Sequence, residues 1–102
     1  IVPVVTERSQ VRKTGKHQRW ERIALESSKQ CGRTKPTVIE DTLEFKEALL
    51  YKDKSDLAII LHAGSSLSMK EFIRNTLQDA KNIIVLIGPD GGFSQNEVLL
   101  AI

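Results

Sequence analysis

The sequence predicts an α/β fold in which a mainly parallel sheet is flanked by helices. Three observations predict it. Two continuous apolar runs, Leu57 to Leu61 and Ile83 to Ile87, read as strands buried on both faces. Segments with helical spacing alternate with the apolar runs, as in chains that lay helices over a parallel sheet. The second run passes directly into a glycine-rich turn, and Ser94-x-x-Glu97 then opens a helix as a capping box.

Taken in order, Ile1-Val2-Pro3-Val4-Val5 reads as a strand, and Pro3 confines it to an edge or a strand start. Thr6 to Lys16 is polar and basic and reads as a loop. A helix is predicted over 17–30, because Trp20, Ile23, Ala24, Ser27 and Cys31 recur at three- and four-residue steps and share one face. Gly32 can supply the left-handed residue that ends it. Thr37-Val38-Ile39 is a short β-prone stretch. Asp41-x-x-Glu44 reads as a capping box for a helix reaching about Tyr51. Ser68-x-x-Glu71 reads as another, for a helix through Phe72, Ile73 and Leu77. A chain that opens inside a strand and stops soon after its last helix starts predicts further chain on both sides.

Composition narrows the function. The chain has 102 residues, 40% of them hydrophobic and 27% charged, which suits one soluble globular domain or part of one. The single cysteine, Cys31, excludes an internal disulfide framework and a cysteine-rich zinc site, and it reads as a small buried residue. No His/Cys/Asp cluster has metal-ligand spacing, so no metal is expected. No apolar run is long enough to span a bilayer and no secretory leader opens the chain, so a cytoplasmic location is expected. The formal net charge of +2 hides an asymmetry: residues 1–35 carry +6 and residues 36–102 carry −4. A basic half joined to an acidic half predicts an anionic macromolecule docking at one end, or else positive charges that merely solvate a helix and its flanking loops.

The chemistry centres on Ile87-Gly88-Pro89-Asp90-Gly91-Gly92-Phe93-Ser94. A strand running into a glycine-rich turn and a capped helix puts backbone N–H groups at the carboxyl end of the sheet, where α/β proteins bind ligands. Glycine lets main chain approach a ligand closely. The same turn could also be a plain tight connection. It is neither a P-loop nor a dinucleotide fingerprint, since the residues that define them are missing.

This segment with Glu97 resembles the "IGPEGGFS..E" signature of the RsmE-type 16S rRNA (uridine-N3) methyltransferases. Glu7-Arg8-Ser9 after an apolar strand is similar to that family's early "ERS" element. Arg19-Trp20, Ile23, Glu26, Gln30, Arg33 and Pro36 are similar to its "RW..I..EA..Q..R..P" helix. The three motifs occur in the family's order over nearly the whole chain. Asp90 stands where the family usually has Glu, which keeps the carboxylate. The family's C-terminal "LG.RILR.ETA" segment and its N-terminal PUA-like β-barrel have no counterpart in the sequence.

The resemblance implies a SPOUT-type α/β knot whose C-terminal part is missing from this chain, S-adenosyl-L-methionine as cofactor, 16S ribosomal RNA or the small ribosomal subunit as partner, and a homodimer. Leu61, His62, Ile87, Gly88, Pro89, Gly91 and Gly92 would bind the cofactor. Arg8 and Arg33 would be catalytic, by orienting the nucleotide or stabilising charge on the base; either could instead form a structural ion pair with Glu7 or Glu26. Arg12, Lys13, Lys16 and Arg19 would thicken the RNA-facing surface. His62 reads as a structural hydrogen-bonder or a general base. Trp20 reads as a core or dimer contact or a stacking platform, and Glu97 as a helix cap or a catalytic carboxylate. The competing reading is a catalytically silent RNA-binding or ribosome-assembly domain of the same fold.

Overall fold

The computed structural model describes residues 1–10, 15–76 and 79–102. Arg12, Lys13 and Leu77, singled out above, lie outside the described residues. Val4–Val5 (β1) pairs in parallel with Leu43–Glu44 (β2), Val4 opposite Leu43. His17–Gln30 (α1) lies between them in the chain. Phe45–Ala48 (α2) continues as a 3₁₀ helix, Leu49–Lys54. Leu57–Leu61 (β3) pairs in parallel with Ile83–Ile87 (β4), and Met69–Thr76 (α3) lies in the crossover between them. Gln95–Ala101 (α4) follows the glycine-rich turn. The α/β class and the parallel pairing hold, but among the described residues the strands form two two-stranded sheets rather than one.

The largest correction falls on residues 37–51. Thr37-Val38-Ile39 makes no ladder; it is extended chain tied by the Ile1 nitrogen to the Val38 carbonyl and by the Glu40 amide to the Ile1 carbonyl at 2.8 Å. The strand forms further on, at Leu43 and Glu44. Glu44 is therefore the N-cap of α2 rather than the third residue of its first turn, and its amide donates to Glu47 at 3.0 Å. A capping box is present, three residues later than the Asp41 spacing predicts. Pro3 explains part of the displacement: it has no N–H to give to a ladder, although its carbonyl accepts from Leu43 at 3.0 Å.

The other boxes sit where the sequence puts them. Ser68 Oγ accepts from the Glu71 amide at 3.2 Å, and Ser94 Oγ accepts from the Glu97 amide at 3.2 Å. The start of the β3–β4 ladder is set by Asp56, whose Oδ2 accepts from the amides of Lys81 at 3.0 Å and Asn82 at 2.7 Å.

The buried apolar residues among those described are Val5, Phe45, Ala48 and Phe93. Phe45 and Phe93 meet with ring centroids 5.6 Å apart and planes tilted by 48°, joining the β1–β2 layer to the glycine-rich turn. One face of the β3–β4 pair, with Ala58, Ile60, Ile84 and Leu86, shares a groove with Ala48, Leu49 and Ala101. On the other, Ile83, Val85 and Ile87 stay exposed, so the expected cover on both faces is absent from β4 among the described residues. In α1 the most sheltered positions are His17, Trp20, Ala24 and Ser28, and only Ser28 is buried. Ile23 and Cys31 are exposed, so Cys31 is not the buried residue the periodicity predicts. No described helix is long and apolar enough to cross a membrane.

Candidate active site

The site begins with ladder register. Leu61 lies opposite Ile87, so β3 and β4 end at the same level and their following loops, His62 to Gly64 and Gly88 to Gly92, leave side by side. This is the carboxyl edge of a parallel pair, where loop backbone is free to meet a ligand.

Local chemistry shapes the second loop. The Gly92 amide donates to the Pro89 carbonyl at 2.7 Å, closing a turn over Asp90 and Gly91. Gly92 holds φ at +68°, a left-handed conformation that costs a side-chain-bearing residue about 1–2 kcal/mol. Gly88 is required for space: a Cβ there would stand 3.2 Å from both the Phe93 ring and its backbone nitrogen. Phe93 is buried against Phe45, so the ring cannot yield easily.

The early Glu7-Arg8-Ser9 element packs onto this loop. Ser9 closes a turn on Thr6: its amide donates to the Thr6 carbonyl at 3.1 Å, and its Oγ accepts from the Thr6 amide at 3.0 Å. The Glu7 amide then donates to Glu97 Oε1 at 2.9 Å, and Arg8 Nη1 donates to the Gly91 carbonyl at 2.6 Å. The second oxygen of Glu97 accepts from the Ser94 amide at 2.9 Å. Two motifs more than eighty residues apart are thus one hydrogen-bonded unit. Glu97 caps its helix as the sequence predicts, and it also makes a second contact that no local spacing signals.

A cleft of about 900 Å³ opens beside this unit, lined by Arg8, Ser9, Lys16, Trp20, Ile87 and the stretch Gly88 to Gly91 among others. The volume is within the range of small-molecule sites. Arg8, Ile87, Gly88, Pro89 and Gly91 therefore meet in one place, with Gly92 in the same loop. Leu61 and His62 line the neighbouring groove along β3 and α3, which reaches the same edge through the Leu61–Ile87 pair. The His62 ring lies over Gly64, where a Cβ would come within 2.8 Å of Nε2.

Arg33 is placed elsewhere. Its Nη1 donates to Thr37 Oγ1 at 3.2 Å, and it lines a separate, largely apolar groove with Trp20, Ile23, Ala24 and Cys31. Trp20 borders both cavities. Neither arginine forms the ion pair with Glu7 or Glu26 that the sequence leaves open; among the described residues the ion pair found is His17 with Glu21, at 3.2 Å. No group of three or more His, Cys, Asp or Glu side chains among the described residues is placed to hold a metal ion.

The loop carries no lysine or arginine, and its one charged residue is Asp90. It suits a neutral or cationic molecule recognised by main-chain groups, with apolar contacts from the strand ends.

Comparison with known proteins identifies the family. Residues 1–102 match the RNA methyltransferase domain family. The chain is 26% identical over 100 residues to ribosomal RNA small subunit methyltransferase E of Aquifex aeolicus, covering 95% of this chain and 41% of that protein. It is 26% identical over 87 residues to the enzyme of the same name from Bacillus subtilis, covering 81% of this chain and 34% of that one. A Legionella pneumophila protein named as a methyltransferase, solved in complex with the bound cofactor SAM, superposes with a TM-score of 0.83 at 28% identity over 98% of this chain and 41% of its own. A hypothetical protein, at 24% identity and a TM-score of 0.80, shares the fold. The chain spans less than half the length of each of these relatives.

Proposed function

The chain belongs to the RNA methyltransferase domain family, and from that premise we propose that it is the catalytic portion of an S-adenosyl-L-methionine-dependent enzyme that methylates uridine N3 in 16S ribosomal RNA. The observation that carries this reading is the unit built from Glu7-Arg8-Ser9 and the glycine loop, set beside a cleft at the carboxyl edge of β3 and β4.

The residues present fit the cofactor. Open space surrounds the missing side chain of Gly92, the tight turn at Gly88 lets Phe93 pack beneath the loop, and Ile87 and Leu61 offer apolar contact at the strand ends. Asp90 suits the positive charge of a sulfonium. Leu61, His62, Ile87, Gly88, Pro89, Gly91 and Gly92 are the proposed binding residues. When bound, S-adenosyl-L-methionine supplies a methyl group on a good leaving group.

The work left to the chain is positioning. Arg8 is exposed and spends one guanidinium N–H on Gly91, leaving its other donors for the uracil ring or the adjoining phosphate. As uridine N3 loses its proton, negative charge spreads to the base oxygens, and a fixed guanidinium stabilises that charge. Trp20 and Lys16, which also line the cleft, add apolar surface and positive charge for the nucleotide. Arg33, in its own groove, contacts the RNA backbone outside the reacting centre. Proposed with this reading are the knotted topology and the homodimer, which the family resemblance implies, and a cytoplasmic setting.

The test is transfer of labelled methyl from S-adenosyl-L-methionine to small ribosomal subunits by the full-length protein, followed by nucleoside mass spectrometry. Label recovered as 3-methyluridine from 16S rRNA supports the proposal. Label in another nucleoside keeps methyl transfer and overturns the uridine assignment. RNA binding with no cofactor binding and no transfer overturns the enzyme and leaves the silent RNA-binding domain.

A further inference from the structure

We propose that Glu97 is a positioning residue for the transfer reaction, fixing Arg8 against the glycine loop by way of the Glu7 backbone. The inference rests on the methyl-transfer reading above. Glu97 is 3% exposed, the least exposed charged residue among those described as buried. A carboxylate is rarely buried this far without compensation by hydrogen bonds or charge.

Its two oxygens have different jobs. Oε2 accepts from the Ser94 amide at 2.9 Å, and with Ser94 Oγ this completes a capping box for α4. A cap needs no more than that. Oε1 accepts from the Glu7 amide at 2.9 Å, across ninety residues of sequence. That amide immediately precedes Arg8, whose guanidinium donates to the Gly91 carbonyl at 2.6 Å. The result is a closed ring: backbone from Glu7 to Arg8, hydrogen bond to Gly91, backbone from Gly91 to Glu97, and hydrogen bond back to Glu7.

Arg8 is thereby held at both ends, the main chain by Glu97 and the side chain by Gly91. Without the first contact the guanidinium can still reach the loop, but its backbone is free to shift. A guanidinium on an exposed turn has many rotamers, and each one immobilised before the RNA arrives lowers the cost of reaching the productive arrangement. The bonds to Glu97 are charge-assisted and lie in a buried setting, which makes them stronger than the exposed contacts around them.

The experiment compares Glu97→Gln, Ser94→Ala, Arg8→Ala and the double variant Glu97→Gln/Arg8→Ala in the full-length protein, by steady-state methyl transfer to small ribosomal subunits. An amide has one acceptor oxygen, so Glu97→Gln cannot serve both N–H groups. The expected result is a loss of about tenfold in kcat for Glu97→Gln, with KM for the cofactor within about twofold of wild type. Ser94→Ala, which removes a capping bond but not the Glu7 contact, should lose about twofold or less. In the Arg8→Ala background, Glu97→Gln should cost nothing further in kcat. Amide exchange at Glu7 should be slow in wild type and Ser94→Ala, and fast in Glu97→Ala, which leaves that amide no acceptor.

Additive losses in the double variant, or an equal kcat loss in Ser94→Ala, would overturn the role and leave Glu97 a cap. Slow Glu7 exchange in Glu97→Ala, which leaves no acceptor at all, would overturn it as well. Should Glu97→Gln fail to fold, Glu97→Asp retains the charge for Ser94 while drawing back from Glu7, and the same kinetic pattern is expected. A wild-type protein that transfers no methyl to any RNA would instead overturn the methyl-transfer reading, a separate outcome.

Discussion

Leu61 and Ile87 stand opposite each other as the last pair of the β3–β4 ladder. That register is what turns two separate loops into one edge. A slip of one residue would flip every side chain of one strand to the other face and misalign the loops. Asp56 guards against it at the far end, where one carboxylate oxygen takes the amides of both Lys81 and Asn82. Replacing Asp56 with Ala should destabilise the domain by about 0.5–1.5 kcal/mol, because it strips two exposed amides of their acceptor. Thermal unfolding followed by circular dichroism measures it; an unchanged Tm would show that water replaces the carboxylate fully.

Gly88→Ala tests the loop by volume. The added methyl group would stand 3.2 Å from the Phe93 ring and backbone nitrogen, and Phe93 is pinned against Phe45. The loop must move, since the core cannot. Cofactor affinity should fall about tenfold, and stability by about 1–3 kcal/mol, the usual cost of overpacking. Calorimetric titration of S-adenosyl-L-methionine reads the first and thermal unfolding the second; wild-type affinity would place the cofactor elsewhere.

Gly92 and Gly32 offer a controlled comparison. Both have positive φ, +68° and +72°, and neither would place a Cβ within 4 Å of another group. Alanine at either position therefore meets conformational strain alone, about 1–2 kcal/mol. For a domain of this size each kcal/mol lowers Tm by about 4–8 °C. The two variants should lose similar stability, but only Gly92→Ala should weaken cofactor binding, since Gly32 ends α1 away from the cleft. Equal affinity in both variants would remove Gly92 from the binding loop.

These predictions rest on parts of the chain that differ in how openly the sequence shows them. The apolar runs of β3 and β4, the turn from Gly88 to Phe93 and the capping boxes at Ser68 and Ser94 are local patterns, legible because each depends on residues within a few positions of one another. The region 37–51 is not local. Whether Thr37 to Ile39 or Leu43 to Glu44 becomes the strand depends on which backbone groups the first five residues can offer, and Pro3 withholds one. The α1 stripe was legible as a helix but not in its orientation, because packing favours Ser28 over Ile23. Arg8 and Arg33 look equivalent as motif residues, yet one meets Gly91 and the other Thr37. The bond from Glu7 to Glu97 has no sequence signature at all: a backbone amide carries no residue type.

The separation of the two arginines gives the last prediction. Arg8 lines the cleft with the glycine loop, and Arg33 lines the groove on the far side of Trp20. If both contacted the reacting base, their alanine variants would share one kinetic signature. The geometry instead predicts two. Arg8→Ala should lower kcat by about a hundredfold, the scale seen when a donor to developing charge is removed. Arg33→Ala should weaken RNA binding several-fold and leave cofactor affinity at the wild-type value. If the Arg33 contact is to a phosphate, removing it should also reduce the slope of log affinity against log salt by about 0.7, the counterion release expected for one contact to single-stranded nucleic acid. Filter binding of the RNA at several salt concentrations measures that slope, and steady-state transfer measures kcat. An Arg33→Ala variant with full RNA affinity and an unchanged slope, but a hundredfold lower kcat, would place Arg33 at the reacting centre and require the segment 33–39 to swing toward the cleft when RNA binds.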